Sequence, residues 1–142
     1  MLHKQSLDPK DACVLVVEDN LQNMLLISRI LDYIGVRQYE WKASGWQLAE
    51  IIDKMPRVDL ILLDLHLPYE DGFEVLAKIR NDSHLCEARV VAVTADANPE
   101  TMRKTREAGF DGFIGKPINP EKMPQQIRDI LQGKMVWDVG YH

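Results

Sequence analysis

The chain has 142 residues, 46% hydrophobic and 27% charged, which is enough to bury a core within one domain of ordinary size. Its 17 basic and 22 acidic residues leave a net charge of −5, which argues against nonspecific binding to nucleic acid or to an anionic membrane. No apolar run approaches bilayer-spanning length, and residues 1–11 lack the apolar segment of a signal peptide. With only Cys13 and Cys86, in no paired motif, we expect reduced thiols and a cytoplasmic protein.

The first two predicted elements are a buried strand and an amphipathic helix. Residues 12–17 are continuously apolar, which is typical of a strand covered on both faces. From Leu21 to Ile34 apolar residues recur at helical spacing, with Asn20 as a predicted N-cap and Gly35 as a predicted C-terminal stop.

The middle of the chain predicts two more strands and two more helices. Val36 to Trp41 indicates an edge or half-exposed strand, and a helix that follows it ends before Pro56. The apolar run 59–64 predicts a central buried strand, from which a loop leads to Gly72 and a third helix. The predicted inner faces of these two helices carry Leu48, Ile51, Ile52 and Met55 in the second and Phe73, Leu76 and Ile79 in the third. Trp41 and Trp46 are interpreted as packing residues, with a partner surface as the alternative.

The last third repeats the alternation. Residues 89–94 predict a fourth strand, and Asn98-Pro99-Glu100 is a helix start signal. The fourth helix, 98–108, has little apolar surface and should be the loosest. A short strand at 112–115 precedes a second start signal, Asn119-Pro120-Glu121, and a fifth helix whose inner face carries Met123, Ile127, Ile130 and Leu131.

Five strand–helix units in alternation predict an α/β fold with a parallel sheet covered by helices on both faces. We expect one domain at 12–132, an N-terminal arm at 1–11 and a C-terminal tail at 133–142. The tail carries Val136, Trp137 and Tyr141, which favours packing back on the domain over a partner contact or disorder.

Polar residues follow four of the predicted strands, where parallel strands meet at one edge of the sheet. These residues are Glu18 and Asp19 after the first strand, Asp64 after the third, Thr94 at the end of the fourth and Lys116 after the fifth. Each alone is compatible with a helix start, a turn or surface charge, but all of them at one edge indicate a binding site.

The charges indicate what the site binds. Two carboxylates about 5 Å apart repel by about 3 kcal/mol at an effective dielectric constant near 20, so three need cations or protons. Lys116 supplies one charge, and oxygen ligands without His or Cys favour a hard ion such as Mg²⁺. The acids argue against a flavin phosphate-binding loop of the flavodoxin type, because they would repel a phosphate.

A carboxylate beside a metal ion and an ammonium group is a credible phosphoryl acceptor, since aspartate acts as a covalent nucleophile in aspartyl-phosphate enzymes. Thr94 would donate a hydrogen bond to a phosphoryl oxygen. Lys116 precedes Pro117, which restricts it to extended conformations and permits a cis bond. An aspartate-nucleophile phosphatase of the haloacid dehalogenase type is disfavoured. Such enzymes carry an Asp-x-Asp pair after the first strand, whereas here Glu18-Asp19 follows the first strand and the candidate nucleophile, Asp64, follows the third.

These motifs resemble the receiver domain of two-component response regulators over about residues 12–132. The motifs that carry the resemblance are Glu18-Asp19, Asp64 with Pro68 and Gly72 behind it, Thr94-Ala95 and Lys116-Pro117, at the spacing that the family shows. The resemblance implies a doubly wound (βα)5 flavodoxin-like fold, with a five-stranded parallel sheet in the order 2-1-3-4-5.

The resemblance also implies roles for the site residues. Asp64 would be the phosphoacceptor, and Thr94 and Lys116 would bind the phosphoryl group. The ligands of Mg²⁺ would be Asp19, Asp64 and the backbone carbonyl of His66, with Glu18 acting through water. Phe113 would be the aromatic switch residue that moves inward with Thr94, although it lacks the hydroxyl of the tyrosine in many members. The His66 side chain would lie at the mouth of the pocket.

The implied function is a regulatory phosphoacceptor domain that catalyses only its own phosphorylation and dephosphorylation. Its partner would be a sensor histidine kinase or a phosphotransfer protein, with no direct contact to nucleic acid or membrane. The family also allows a homodimer through the face of the fourth and fifth helices. We expect a stand-alone receiver; the alternatives are a receiver segment of a hybrid histidine kinase and an interaction module without active phosphotransfer.

Overall fold

The computed structural model describes residues 5–45 and 54–140 of the chain. Its main strands are β1 (Cys13–Val17), β2 (Gln38–Lys42), β3 (Leu60–Leu63), β4 (Arg89–Thr94), β5 (Gly112–Gly115) and β6 (Val136–Asp138). Its helices are α1 (Leu21–Ile34), α2 (Gly72–Arg80), α3 (Pro99–Ala108) and α4 (Met123–Leu131), and a 3-10 turn spans Pro9–Asp11. Thus α2, α3 and α4 correspond to the third, fourth and fifth predicted helices. Most of the predicted second helix lies outside the described residues, with Trp46, Leu48, Ile51 and Ile52.

All the main strands pair in parallel in the order β2-β1-β3-β4-β5-β6. The predicted order of the first five strands is therefore confirmed, and the predicted number of strands is corrected from five to six. The sixth strand comes from residues 136–138 of the tail, which pack back on the domain as the apolar Val136 and Trp137 favoured, whereas Tyr141 lies outside the described residues. Its three residues are too few to give a readable strand pattern in the sequence.

The core lies in two layers, one on each face of the sheet. Alternate residues of β1 separate between them: Leu15 and Val17 belong to one layer, and Val14 and Val16 to the other. The first layer packs against α2 and the second against α1 and α4. Burial on both faces explains why β1, β3 and most of β4 read as continuous apolar runs in the sequence, unlike the half-exposed edge strand β2. No helix in the described part of the chain is long and apolar enough to cross a membrane.

Helix starts follow the predicted asparagine signals in two of three cases. The side chain of Asn20 caps α1 and that of Asn98 caps α3, each accepting a hydrogen bond from a backbone N–H three residues on. The third prediction needs correction, because α4 begins at Met123 rather than directly after Asn119. Asn119 instead caps a turn, in which its side chain accepts hydrogen bonds from the N–H groups of residues 121 and 122.

The connection from β3 to α2 is a small hairpin rather than an open loop. Residues 66–67 pair antiparallel with residues 70–71 around Pro68 and Tyr69. Proline followed by a residue with positive φ, here 62° at Tyr69, is the pattern of a type II turn. Gly72 closes the loop, because a Cβ there would lie 2.7 Å from the Cα of Leu65. This tight return fixes the backbone that follows Asp64.

Candidate functional site

The predicted polar residues meet at the carboxyl edge of the sheet. Glu18 follows β1, Asp64 follows β3, Thr94 ends β4 and Lys116 follows β5. The side chains of Glu18 and Asp64 are almost completely buried, and Thr94 is 0% exposed, whereas Asp19 is exposed to solvent. The site is therefore a buried charged cluster with one acid at its opening.

Lys116 joins the two buried acids. Its Nζ lies 2.8 Å from Oε1 of Glu18 and 3.1 Å from Oδ2 of Asp64. Burial lowers the pKa of Lys116, but the hydrogen bond to Glu18 and the charge of Asp64 outweigh burial and hold this pKa above its ordinary value. The lysine is therefore a fixed positive charge at the site at neutral pH.

One lysine does not neutralise the cluster. Burial raises the pKa of Glu18 above its ordinary value, and hydrogen bonds from Lys116 and from the N–H of Asn20 offset only part of this effect. A second cation would relieve the same imbalance, because opposite charge favours ionised carboxylates.

The donor set fits a divalent ion. Glu18, Asp19 and Asp64 each offer a carboxylate oxygen, and these three oxygens lie within 4.8 Å of one another. Oxygen ligands of this kind suit a hard cation such as Mg²⁺. The exposed position of Asp19 leaves that side of the cluster open to an entering ion.

The Asp64 carboxylate is oriented by backbone as well as by Lys116. Its Oδ1 accepts a hydrogen bond of 3.0 Å from the N–H of His66, which leaves Oδ2 for the lysine. The His66 side chain is 66% exposed, with Nε2 3.6 Å from Oδ2 of Asp96. These two side chains and Asp19 line a cleft of about 600 Å³, so His66 lies at the mouth of the site as expected.

The predicted switch residues occupy adjacent strands. The hydroxyl of Thr94 accepts a hydrogen bond of 3.1 Å from the N–H of Asp96, at the start of the connection to α3. Phe113 on β5 is 0% exposed and belongs to the core layer beneath α2. Lys116 continues β5 with a cis bond to Pro117, and its N–H donates to the carbonyl of Thr94 over 2.8 Å.

Two residues support the site in ways that the sequence analysis missed. The indole N–H of Trp41 donates to the backbone carbonyl of Glu18, which ties the acidic loop to the edge strand β2. Glu70, whose side chain is 5% exposed, accepts a hydrogen bond of 2.6 Å from the N–H of Gly45 and pairs with Lys78. Each of these hydrogen bonds joins residues more than 20 positions apart in the chain, so no local pattern indicated these contacts.

Comparison with known proteins identifies the family. The profile of the response regulator receiver domain matches residues 14–128. The chain belongs to this family. It is therefore a receiver domain, a regulatory phosphoacceptor of two-component signalling, and receiver domains bind Mg²⁺ at an acidic pocket and interact with histidine kinases or phosphotransfer proteins.

Its curated relatives differ in length. The polar-differentiation response regulator DivK of Brucella anthropi is 31% identical over 118 residues, covering 83% of this chain and 94% of DivK. The peroxide stress-activated histidine kinase mak1 of Schizosaccharomyces pombe is 33% identical over 123 residues, again 83% of this chain but only 7% of the kinase. A probable cyclic di-GMP phosphodiesterase of Vibrio cholerae is 29% identical over 141 residues, which is 98% of this chain but only 31% of that protein.

Solved structures share the fold. The chemotaxis response regulator CheY4 of Vibrio cholerae is 27% identical with a TM-score of 0.73, over 84% of this chain and 98% of CheY4. The receiver domain of a sensor histidine kinase of Pseudomonas aeruginosa is 28% identical with a TM-score of 0.72, over 87% of this chain and 98% of that domain. The latter was crystallised with a magnesium ion in its active site cleft.

Proposed function

We propose that Asp64 accepts a phosphoryl group from a phosphohistidine of a sensor histidine kinase or a phosphotransfer protein. The observation that carries this proposal is the position of Lys116 Nζ, 3.1 Å from Asp64 Oδ2 and 2.8 Å from Glu18 Oε1. A buried aspartate held between a fixed cation and two further acids is equipped to bind a phosphoryl group once a divalent ion balances the charge.

The transfer forms one bond and breaks one. A carboxylate oxygen of Asp64 attacks phosphorus, the bond from phosphorus to the imidazole nitrogen of the donor breaks, and the imidazole leaves with its electron pair and takes a proton from water. Lys116 Nζ exchanges its contact with the carboxylate for one with a phosphoryl oxygen. The hydroxyl of Thr94 turns from the N–H of Asp96 to donate to another phosphoryl oxygen.

Mg²⁺, when bound, neutralises negative charge on the phosphoryl group and on the acids around it. We assign Asp19, Asp64 and the backbone carbonyl of His66 as its direct ligands, with Glu18 acting through water. The acidic cluster supports this assignment, since the three carboxylates already offer oxygens within 4.8 Å of one another.

The output of phosphorylation is a change in partner binding. Thr94 moves toward the phosphoryl group, Phe113 moves inward behind it, and the connection from Thr94 to α3 shifts. The limited burial of α3, whose only buried residues are Thr101 and Thr105, supports a low cost for this shift. The face of α3 and α4 then forms the surface for a partner or a second copy.

The likeness to DivK over 94% of its length supports a stand-alone cytoplasmic receiver built on residues 12–132. The second candidate is a receiver segment of a hybrid histidine kinase, which the likeness to mak1 favours. Both candidates predict that Asp64 is phosphorylated, whereas an interaction module without phosphotransfer predicts that it is not.

Incubation with acetyl phosphate and Mg²⁺ tests the proposal. The unmodified chain should gain one acid-stable, base-labile phosphoryl group in intact mass spectrometry, and Asp64→Asn should gain none. Lys116→Ala should retain metal binding but form the acyl phosphate at least about a hundredfold more slowly, because it lacks the cation that stabilises the transferring group.

A matched control is Asp59→Asn, at the other end of the strand that leads to Asp64. Its carboxylate accepts a hydrogen bond of 2.8 Å from the N–H of Cys13, far from the acidic cluster, and an amide oxygen preserves that bond. This variant should be phosphorylated normally. If the unmodified chain takes up no phosphoryl group from acetyl phosphate or from any histidine kinase, the interaction module becomes the better description.

A further inference from the structure

The edge of β5 is covered by the chain's own C-terminal segment. β6 pairs with it in parallel, in the register Gly112 with Val136, Phe113 with Trp137 and residue 114 with Asp138. Without β6, β5 would be the last strand of the sheet and its N–H and C=O groups on that side would be unpaired. We call residues 134–140 the C-terminal strand segment.

Two glycines on β5 let this segment approach closely. A Cβ on Gly112 would lie 2.8 Å from the carbonyl oxygen of Val136, and a Cβ on Gly115 would overlap the backbone of Val139. Gly140 completes the fit from the other side, since a Cβ there would lie 2.9 Å from the carbonyl oxygen of Gly115. The edge of β5 is thus shaped to accept the backbone of an extended segment.

Side chains on both flanking helices hold the segment. The guanidinium of Arg106 on α3 lies 4.5 Å from the ring centroid of Trp137. On α4 and just before it, Gln126 and Lys122 each lie 2.8 Å from Oδ2 of Asp138. The segment therefore bridges the α3 side and the α4 side of the same face.

This attachment is limited in strength. β6 has three residues and each is only partly buried, so little apolar surface holds it in place. The ion pair with Lys122 is partly exposed, and pairs of that kind contribute little to stability. Because the attachment is limited, a change in the position of β5 or α3 would alter the balance between attached and released segment.

The same segment lies next to the moving parts of the site. Phe113 is paired with Trp137, and Gly115 directly precedes Lys116. A Cβ on Gly115 would also lie 2.7 Å from the Cβ of Ala97, in the connection that follows Thr94. Movement of Thr94, Phe113 and Lys116 toward a phosphoryl group therefore acts on the surface that holds the segment.

We propose that the C-terminal strand segment is a phosphorylation-sensitive cover of the β5 edge, attached when Asp64 pairs with Lys116 and released when Asp64 is phosphorylated. The inference rests on the phosphoacceptor role of Asp64. Release uncovers a groove between α3 and α4 with Arg106 and Lys122 at its sides. That groove fits an extended partner segment in which a carboxylate follows an aromatic residue.

Hydrogen exchange on the full chain tests the proposal, with beryllofluoride and Mg²⁺ as a stable mimic of the phosphoryl group. Amides 136–140 should exchange about tenfold faster in the loaded protein, which corresponds to about 1.4 kcal/mol. Asp64→Asn, treated identically, should show no change. Fluorine NMR reports loading independently through the signal of bound beryllofluoride.

The two readouts separate the two hypotheses. If fluorine NMR shows no bound beryllofluoride, and acetyl phosphate transfers no phosphoryl group, the proposed function fails. If the protein is loaded but amides 136–140 exchange at an unchanged or slower rate, the cover is disproved while Asp64 keeps its role.

A reciprocal measurement uses variants of the segment itself. If loading requires release of the segment, then the attachment of the segment lowers the affinity for beryllofluoride. Trp137→Ala weakens this attachment and should therefore raise that affinity about fivefold, by the reciprocity of linked equilibria. Met135→Ala is the matched control, because this side chain is in the same segment but 55% exposed, and its affinity should not change. Equal affinities in Trp137→Ala and the unmodified chain would contradict the proposal.

Discussion

Helices α1 and α3 have similar ends and different interiors. Each begins at an asparagine whose side chain caps a backbone N–H, and each ends at a glycine with positive φ, Gly35 in one and Gly109 in the other. Between these ends, α1 buries five apolar residues: Met24, Ile27, Ile30, Leu31 and Ile34. The buried residues of α3 are Thr101 and Thr105.

Capping therefore does not decide how firmly a helix is held. Caps contribute about 1 kcal/mol each, whereas one fully buried aliphatic side chain contributes about 1.5–3 kcal/mol. On the solvent side α3 relies on exposed ion pairs of Arg103 with Glu100 and Glu107, which add little. The difference in burial is consistent with α1 staying in place and α3 moving when the receiver domain is phosphorylated.

The largest effect is expected from truncating one apolar side chain in each helix, a buried one in α1 and a partly buried one in α3. Ile27→Ala in α1 should lower the free energy of unfolding by about 2–5 kcal/mol, because the side chain is 1% exposed and leaves a cavity. Met102→Ala in α3 should lower it by about 1 kcal/mol or less, because Met102 is only partly buried. Urea unfolding followed by circular dichroism measures both.

Leu25→Ala controls for effects of helix position and propensity in α1. This residue is 50% exposed, so its truncation should change the free energy of unfolding by about 0.5 kcal/mol or less. If Met102→Ala cost as much as Ile27→Ala, the two helices would be equally anchored and the comparison would lose its basis.

A smaller effect is expected in native-state hydrogen exchange. Amides in the middle of α3 should open at least about tenfold more often than those in the middle of α1, a difference of about 1.4 kcal/mol in opening free energy. Both stretches lie in regular helix of 10 and 14 residues, so terminal fraying does not account for such a difference. If the amides of α3 were protected from exchange as strongly as those of α1, the hypothesis that α3 moves on phosphorylation would be wrong.

Most of the fold was predictable because its signals are local. Continuous apolar runs gave the buried strands, and the helical spacing of apolar residues gave α1 with the bounds that the structure shows, Leu21–Ile34. The start of α4 was predicted too early, because an asparagine caps a turn with the same local pattern that it uses to cap a helix. Here Asn119 caps a turn, and the helix begins at Met123. β6 was missed as a strand, because its pairing depends on the distant glycines of β5.

The site was predictable to the extent that topology determines it. Glu18, Asp64 and Lys116 each directly follow a strand, so parallel pairing alone brings them to one edge. Trp41 was interpreted as a packing residue or part of a partner surface, because nothing in its sequence neighbourhood indicates that its indole reaches the carbonyl of Glu18. The roles of Asp64, Thr94 and Phe113 in phosphorylation and switching stay predictions.

The smallest effect concerns Asp138, which attaches the C-terminal strand segment to Lys122 and Gln126 on the α4 side rather than to α3. Burial raises the pKa of Asp138, but hydrogen bonds from Lys122, from the N–H of Gly140 and from Gln126 outweigh burial and hold this pKa below its ordinary value. A carboxylate with a depressed pKa stabilises the fold above its unfolded pKa of about 3.9, and this contribution is lost as the pH falls through the lower folded value.

Asp138→Asn should therefore be less stable than the unmodified chain by about 1 kcal/mol or less at pH 6, and the gap should close as the pH falls below about 4. Urea unfolding between pH 6 and 3 measures this gap, with Glu121→Gln, an exposed acid before α4, as a control for net charge. A gap that stays constant over this range would mean that the Asp138 carboxylate does not hold the segment by its charge, and that Trp137 and the glycines of β5 attach it alone.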